Sequence, residues 1–128
     1  MRSHADPDVE LVLSAYAAFA RGDISAAVSG LAPDVVWTEP EEFPNGGRHV
    51  GKEAVASYLR ASRAMWAELE SRPTARRRGA HIVVTHRVSG RLLDGTEHEN
   101  AVADVFTVVD GQVVEMTAYA DPEAVPDA

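Results

Sequence analysis

Just past its midpoint the chain changes its hydrophobic rhythm, and that single change limits the folds open to it. Before the change, apolar residues recur three and four apart, the spacing of one helical face. After it, β-branched residues gather in three runs, His81–Val88, Ala101–Val109 and Val113–Tyr119. Asp94-Gly95 and Asp110-Gly111 stand between these runs as hairpin turns, so the second half predicts an antiparallel meander. Helices first and consecutive strands after them define an α+β domain.

In the first half, Asp6-Pro7 supplies a cap and a first-turn proline. Val9, Val12, Leu13, Tyr16 and Phe19 follow on one helical face, and Gly22 ends the helix. Asp23 caps a second helix through Ile24, Ala27, Val28 and Leu31, up to a stop at Pro33. Val35–Glu39 reads as a short strand stopped by Pro40, and Glu41–Gly51 as a loop. The helical period then returns from Lys52 through Val55, Tyr58, Leu59, Met65, Trp66 and Leu69, predicting a third helix closed before Pro73. Only the tails, Met1–Ala5 and Ala124–Ala128, read as loose.

At 128 residues the chain is one domain, able to bury about two-thirds of its unfolded surface, enough for a core and one pocket. Twenty acidic residues against twelve basic ones give a formal charge of −8, which repels phosphate backbones and anionic lipid. Neither a nucleic-acid nor a membrane partner is expected. The absence of cysteine excludes disulfides, thiol catalysis and cysteine-ligated metal sites. No apolar run approaches the roughly 18 residues of a membrane span, and the N-terminus lacks a signal-peptide stretch, so a cytoplasmic protein is expected.

Strand parity selects the first candidate for chemistry. One face of the second run reads His98, Asn100, Val102, Asp104, Phe106, Val108, which puts a carboxylate among apolar neighbours. Such a group either faces solvent at an edge or sits in a pocket that raises its pKa and makes it a proton or hydrogen-bond donor. Glu39 is the second candidate. It ends the Val35-Trp37-Glu39 face beside a Gly/Pro loop, where it either meets a ligand or is a solvated strand end.

His81 and His86, five apart, fall on opposite strand faces and cannot share a metal, and no metal or other cofactor is expected. Rim or surface positions are the expectation for these histidines and for His98, about 20 Å from Asp104 along an extended strand. His49, in the loop after Glu39, is placed near a pocket mouth. Arg72 and Arg76–Arg78 read as a solvated connection, since no aromatic residues are interleaved with them.

Four stretches, taken in order, carry a resemblance: Tyr16 to Ile24 (YAAFARGDI), Ala32 to Pro40 (APDVVWTEP), Gly51 to Val55 (GKEAV) and Asp104 to Tyr119 (DVFTVVDGQVVEMTAY). Together they resemble the SnoaL-like and ketosteroid-isomerase-like branch of the nuclear-transport-factor-2-like (NTF2-like) superfamily over about residues 8–122. The resemblance implies one cone-shaped domain across residues 1–128, with three helices on a strongly curved, mostly antiparallel sheet enclosing an apolar pocket. It also implies a homodimer formed through the outer sheet face.

Carried over residue by residue, Glu39 before Pro40 matches the general base, an aspartate in the isomerases. Asp104 matches the protonated acid that holds the oxyanion. The isomerase tyrosine would fall at Ala15, one residue and about 100° of helix before Tyr16, so Tyr16 need not reach the same spot; it enters as a second donor. In this reading Phe19, Trp37, His49, Tyr58, Trp66, Asn100 and Phe106 contact the substrate.

The expected function is cofactor-free acid/base chemistry on an apolar carbonyl metabolite of polyketide, terpenoid or steroid type. Isomerisation, aldol cyclisation and dehydration share the same first step. Two alternatives stand beside it. One is epoxide hydrolysis with an Asp–Arg–Asp set in which Arg87 is the middle member, and the other is a non-catalytic binding module. Two carboxylates in one open cavity would favour an enzyme; either one on the outer sheet face would favour binding.

Overall fold

A computed structural model describes residues 6–126, so the expectation for Met1–Ala5 lies outside the described residues, as do the last two residues of the C-terminal tail. The first helix, α1 (Pro7–Ala20), starts at the predicted cap. The Asp6 carboxylate accepts from the backbone N–H groups of Asp8 (3.0 Å) and Val9 (3.4 Å), satisfying donors that no helical carbonyl reaches. The second, α2 (Ile24–Ala27), is a single turn capped by Asp23, and α3 covers Lys52–Ala64.

Six strands complete the order: β1 (Leu31–Glu39), β2 (Gly47–Val50), β3 (Trp66–Arg78), β4 (His81–Leu92), β5 (Glu97–Val109) and β6 (Gln112–Tyr119). They form one sheet in the order β2-β1-β6-β5-β4-β3, antiparallel except where β1 runs parallel to β6. The sheet is curved and unclosed, with three helices, as the α+β expectation required. A 3-10 turn, Pro122–Ala124, follows β6 in the tail. Asp110 and Gly111, both at positive φ, make the two-residue turn from β5 to β6 that Asp-Gly specifies. Among the described residues no helix is long and apolar enough to cross a membrane.

Several boundaries differ from expectation, β4 running on to Leu92 and β5 starting at Glu97. The third helix stops at Ala64, and Trp66–Leu69 begins strand β3. Trp66 and Leu69, three apart, resemble a helical pair because a register shift between Trp66 and Glu68 inserts a residue and turns both side chains to the same cavity. Gly90, at positive φ, lies opposite this bulge, where a Cβ would come within 2.0 Å of the Glu68 carbonyl oxygen, so no other residue fits. Pro73 does not stop the chain, because β3 is an edge strand and an edge tolerates a missing N–H. The basic stretch Arg72 to Arg78 is therefore part of this edge rather than a connection.

Leu31 likewise leaves the second helix. It opens β1 opposite Val113, and Pro33 lies within the strand. The loop after Glu39 contains β2, which pairs antiparallel with β1.

The core joins Val12 and Tyr16 of α1 and Val55 of α3 to inward residues of the sheet, among them Val35, Ile82, Val84, Phe106 and Met116. At the other end of α1, Arg63 of α3 donates to the carbonyls of Ala20 (3.1 Å) and Trp66 (3.4 Å), fixing where helix gives way to strand. Between the helices and the sheet the packing leaves one large cavity.

Candidate active site

The cavity has a volume of about 320 Å³, the size of a small-ligand pocket, and is mostly apolar. Glu39 reaches it from the end of β1 and Asp104 from mid-β5, with Tyr16 of α1 and Tyr58 of α3 above them. Phe19, Trp37, Trp66, Asn100 and Phe106 line it as well. Both carboxylates thus face one space, and neither lies on the outer sheet face.

Each carboxylate has its own donors. Tyr16 Oη–H donates to Asp104 Oδ2. The one-residue helical offset is therefore absorbed, and Tyr16 itself reaches the acid. Trp37 Nε1–H donates to Glu39 Oε2 at 2.7 Å, and the Tyr58 hydroxyl lies near enough to the same carboxylate to influence its titration. Trp37 and Glu39 are two apart on β1, so strand parity alone aligns them. Edge-to-face contacts run from Tyr16 to Phe106 (centroids 6.0 Å) and from Phe106 to Trp37 (6.0 Å), forming an aromatic wall that holds both donors in place.

Burial sets the charge state. Desolvation, followed by the negative charge of Asp104, pushes Glu39 up to about 7, against the pull of Trp37 and Tyr58. Desolvation also raises Asp104, to about 6, with the Tyr16 hydrogen bond opposing. Burial and the neighbouring carboxylates hold Tyr16 well above the ordinary phenol value, so it stays a donor. Near neutrality the two carboxylates share about one proton, because ionising both in a dry cavity is costly. The two titrate as one coupled pair, the ionised carboxylate holding the proton on the other.

Other expectations are corrected. His49 is not among the cavity-lining residues; its ring lies against Tyr58 (4.8 Å) and its Nε2 is bonded to the Asn45 carbonyl (2.9 Å), which turns it away. Arg87 is exposed on the opposite parity from the cavity-facing His86, so no Asp–Arg–Asp set assembles. His86 is no rim residue: it is 8% exposed and lines the cavity. Its parity with Ile82 and Val84 was the signal for this. His98 is exposed at the cavity's Trp66 end, 5.8 Å from that ring. Among the described residues no group of three His, Cys, Asp or Glu side chains could hold a metal ion.

A cone of three helices on a curved sheet, with acids facing an apolar cavity, is the class the geometry defines. The sequence model of the SnoaL-like domain matches residues 12–116, and the chain belongs to that family. An uncharacterized protein of Mycobacterium tuberculosis is 30% identical over 129 residues, covering 93% of each chain. Among solved structures, an NTF2-like protein from Burkholderia pseudomallei superposes with a TM-score of 0.81 at 25% identity, covering 93% of this chain and 94% of that one. TerC, crystallized with polyporic acid, superposes with a TM-score of 0.79 at 27% identity, covering 93% and 95%.

Proposed function

We propose that this protein is an enzyme that moves a proton on a small, apolar carbonyl compound held between Glu39 and Asp104. The observation that carries the reading is the pair itself: two carboxylates, each fixed by an aromatic donor, facing one apolar cavity with raised pKa values of about 7 and about 6. A pair sharing one proton supplies a base and an acid together. Asp104, its charged form favoured by the hydrogen bond from Tyr16, takes a proton from the carbon next to the carbonyl. Glu39, still protonated, donates a hydrogen bond to the oxygen on which the enolate charge develops. Isomerisation, aldol cyclisation and dehydration all begin with this step.

The apolar lining favours an uncharged or weakly polar ligand, and the net charge of −8 disfavours phosphorylated ones. Family membership supports small-molecule chemistry in this cavity, and the similar protein TerC was co-crystallized with polyporic acid.

Exchange of the α-deuterons of 2-tetralone with water, followed by NMR, reads the proposed step directly. Wild-type protein should accelerate it, Asp104→Asn should lower the rate by about 10³-fold, and Glu39→Gln, which keeps a donor, by about 10- to 100-fold. Undiminished exchange by Asp104→Asn would sink the reading. A larger loss from Glu39→Gln than from Asp104→Asn would return the base to Glu39.

A further inference from the structure

Away from the carboxylate pair, the cavity floor carries two polar side chains that proton transfer does not use, His86 of β4 and Asn100 of β5. In the sheet register His86 stands opposite Val102 and Val88 opposite Asn100, so the two are diagonal neighbours on the same face, well within joint reach of one ligand atom. Asp104 lies two residues from Val102 in the other direction along β5, roughly 7 Å away.

The polar atoms of both side chains are partly engaged, and in the same sense. Ser71 Oγ of β3 lies 2.6 Å from His86 Nε2, and Ser71 is not itself a cavity-lining residue. With the Ser71 hydroxyl donating to Nε2, the neutral ring carries its hydrogen on Nδ1, the tautomer that the subsite requires. The ring is further held edge-on to Tyr16, with centroids 4.7 Å apart. In Asn100 the side-chain oxygen accepts from the Ala101 backbone N–H at 2.9 Å, which fixes the amide orientation and leaves its NH2 unengaged by protein among the described residues. Burial pushes His86 down to about 4, so at neutral pH the ring is a neutral donor and not a cation.

We infer that His86 Nδ1–H and the Asn100 side-chain NH2 form a second subsite that receives a hydrogen-bond-accepting oxygen of the ligand, with Ser71 as the residue that positions the His86 tautomer. The inference rests on the proposed function and narrows its substrate class to apolar carbonyl compounds that carry a second, acceptor oxygen about 5–8 Å from the carbon that loses its proton. A buried donor pair that such an oxygen satisfies, and that a deoxy analogue leaves unpaired, discriminates strongly between the two.

Two measurements test it. Nitrogen-15 NMR of the histidine rings in the ligand-free protein should show His86 as the Nδ1–H tautomer. Ser71→Ala should release the preference and Ser71→Thr restore it. The Nε2–H tautomer in wild-type protein overturns the inference whatever binds.

Quenching of Trp37 and Trp66 fluorescence then compares 2-tetralone with 6-methoxy-2-tetralone, whose added oxygen only accepts. The methoxy compound should bind wild type about tenfold more tightly than 2-tetralone, and in His86→Phe, which keeps a ring beside Tyr16, that ratio should fall to about one. Asn100→Leu should erase part of the gain. If 2-tetralone binds and exchanges but the methoxy group confers no gain, or confers one that both variants retain, the subsite is wrong and the proposed function stands. Binding of neither compound overturns both.

Discussion

Asp6, at the surface where α1 begins, titrates at about 2; Asp104, inside the cavity, titrates at about 6. The side chains are identical, so the environments make the difference. Asp6 takes a two-pronged contact from Arg77, Nε at 2.7 Å and Nη2 at 3.1 Å, while a further 2.7 Å contact joins Nη2 to Asp8. This arginine contact is the first cause of its low value. Among the described residues Asp104 meets no cation; it has a phenol and an apolar wall, and desolvation dominates. At the helix start charge is neutralised in water, whereas in the cavity it is left uncompensated, the usual signature of a group kept for chemistry and not for stability.

The two regions should respond to pH with opposite sign. Asp6 has a folded pKa below its unfolded one, so its contribution is present above about 4 and lost as pH falls toward 2. Glu39 and Asp104 have folded values above their unfolded ones, so they favour the fold most below about 4 and progressively disfavour it as pH rises through about 6 and 7.

The largest expected effect follows from that second sign. The Glu39→Gln/Asp104→Asn double variant should gain stability over wild type between pH 4.5 and 8 by on the order of 2 kcal/mol, seen in urea denaturation at each pH. A difference that stays constant across that range would remove the desolvation account. Tyr16→Phe should come next. Without the hydrogen bond that lowers it, the Asp104 pKa rises, so the acid limb of the kcat/KM profile for tetralone exchange should move to higher pH, with kcat falling about tenfold. An unmoved limb would detach Tyr16 from the base. Arg77→Ala should be smallest, a marginal drop in Tm that added salt shrinks further, since the cluster it breaks is exposed to solvent.

The difference between these regions also marks how far the sequence could be read. The helix start was fully legible, because Asp6-Pro7 acts through its own chain neighbours. Strands β4 to β6 were legible for the same reason: alternation and Asp-Gly turns are local signals, and parity placed Asp104 on an apolar face. Strand β3 was hidden because its bulge imitates helical spacing between Trp66 and Leu69 and because Pro73 reads as a stop until the strand is known to be an edge. His49 was misjudged because its bond to Asn45, four residues back, turns the ring from the cavity, and no periodicity encodes that. That Tyr16 reaches Asp104 is a matter of helix phase and docking that spacing along the chain does not reveal.

That contact joins residues 88 positions apart. Loop closure over such a separation is deferred in folding, because its entropy must be met before the contact returns anything. The meander can pair strand by strand through its short turns, but the oriented acid exists only once the docked first helix brings Tyr16 to the fifth strand. Loss of α1's docking would therefore free Asp104 of its donor while much of the sheet stayed hydrogen-bonded, and amide exchange in α1 should report the fraction of molecules in which that contact is made.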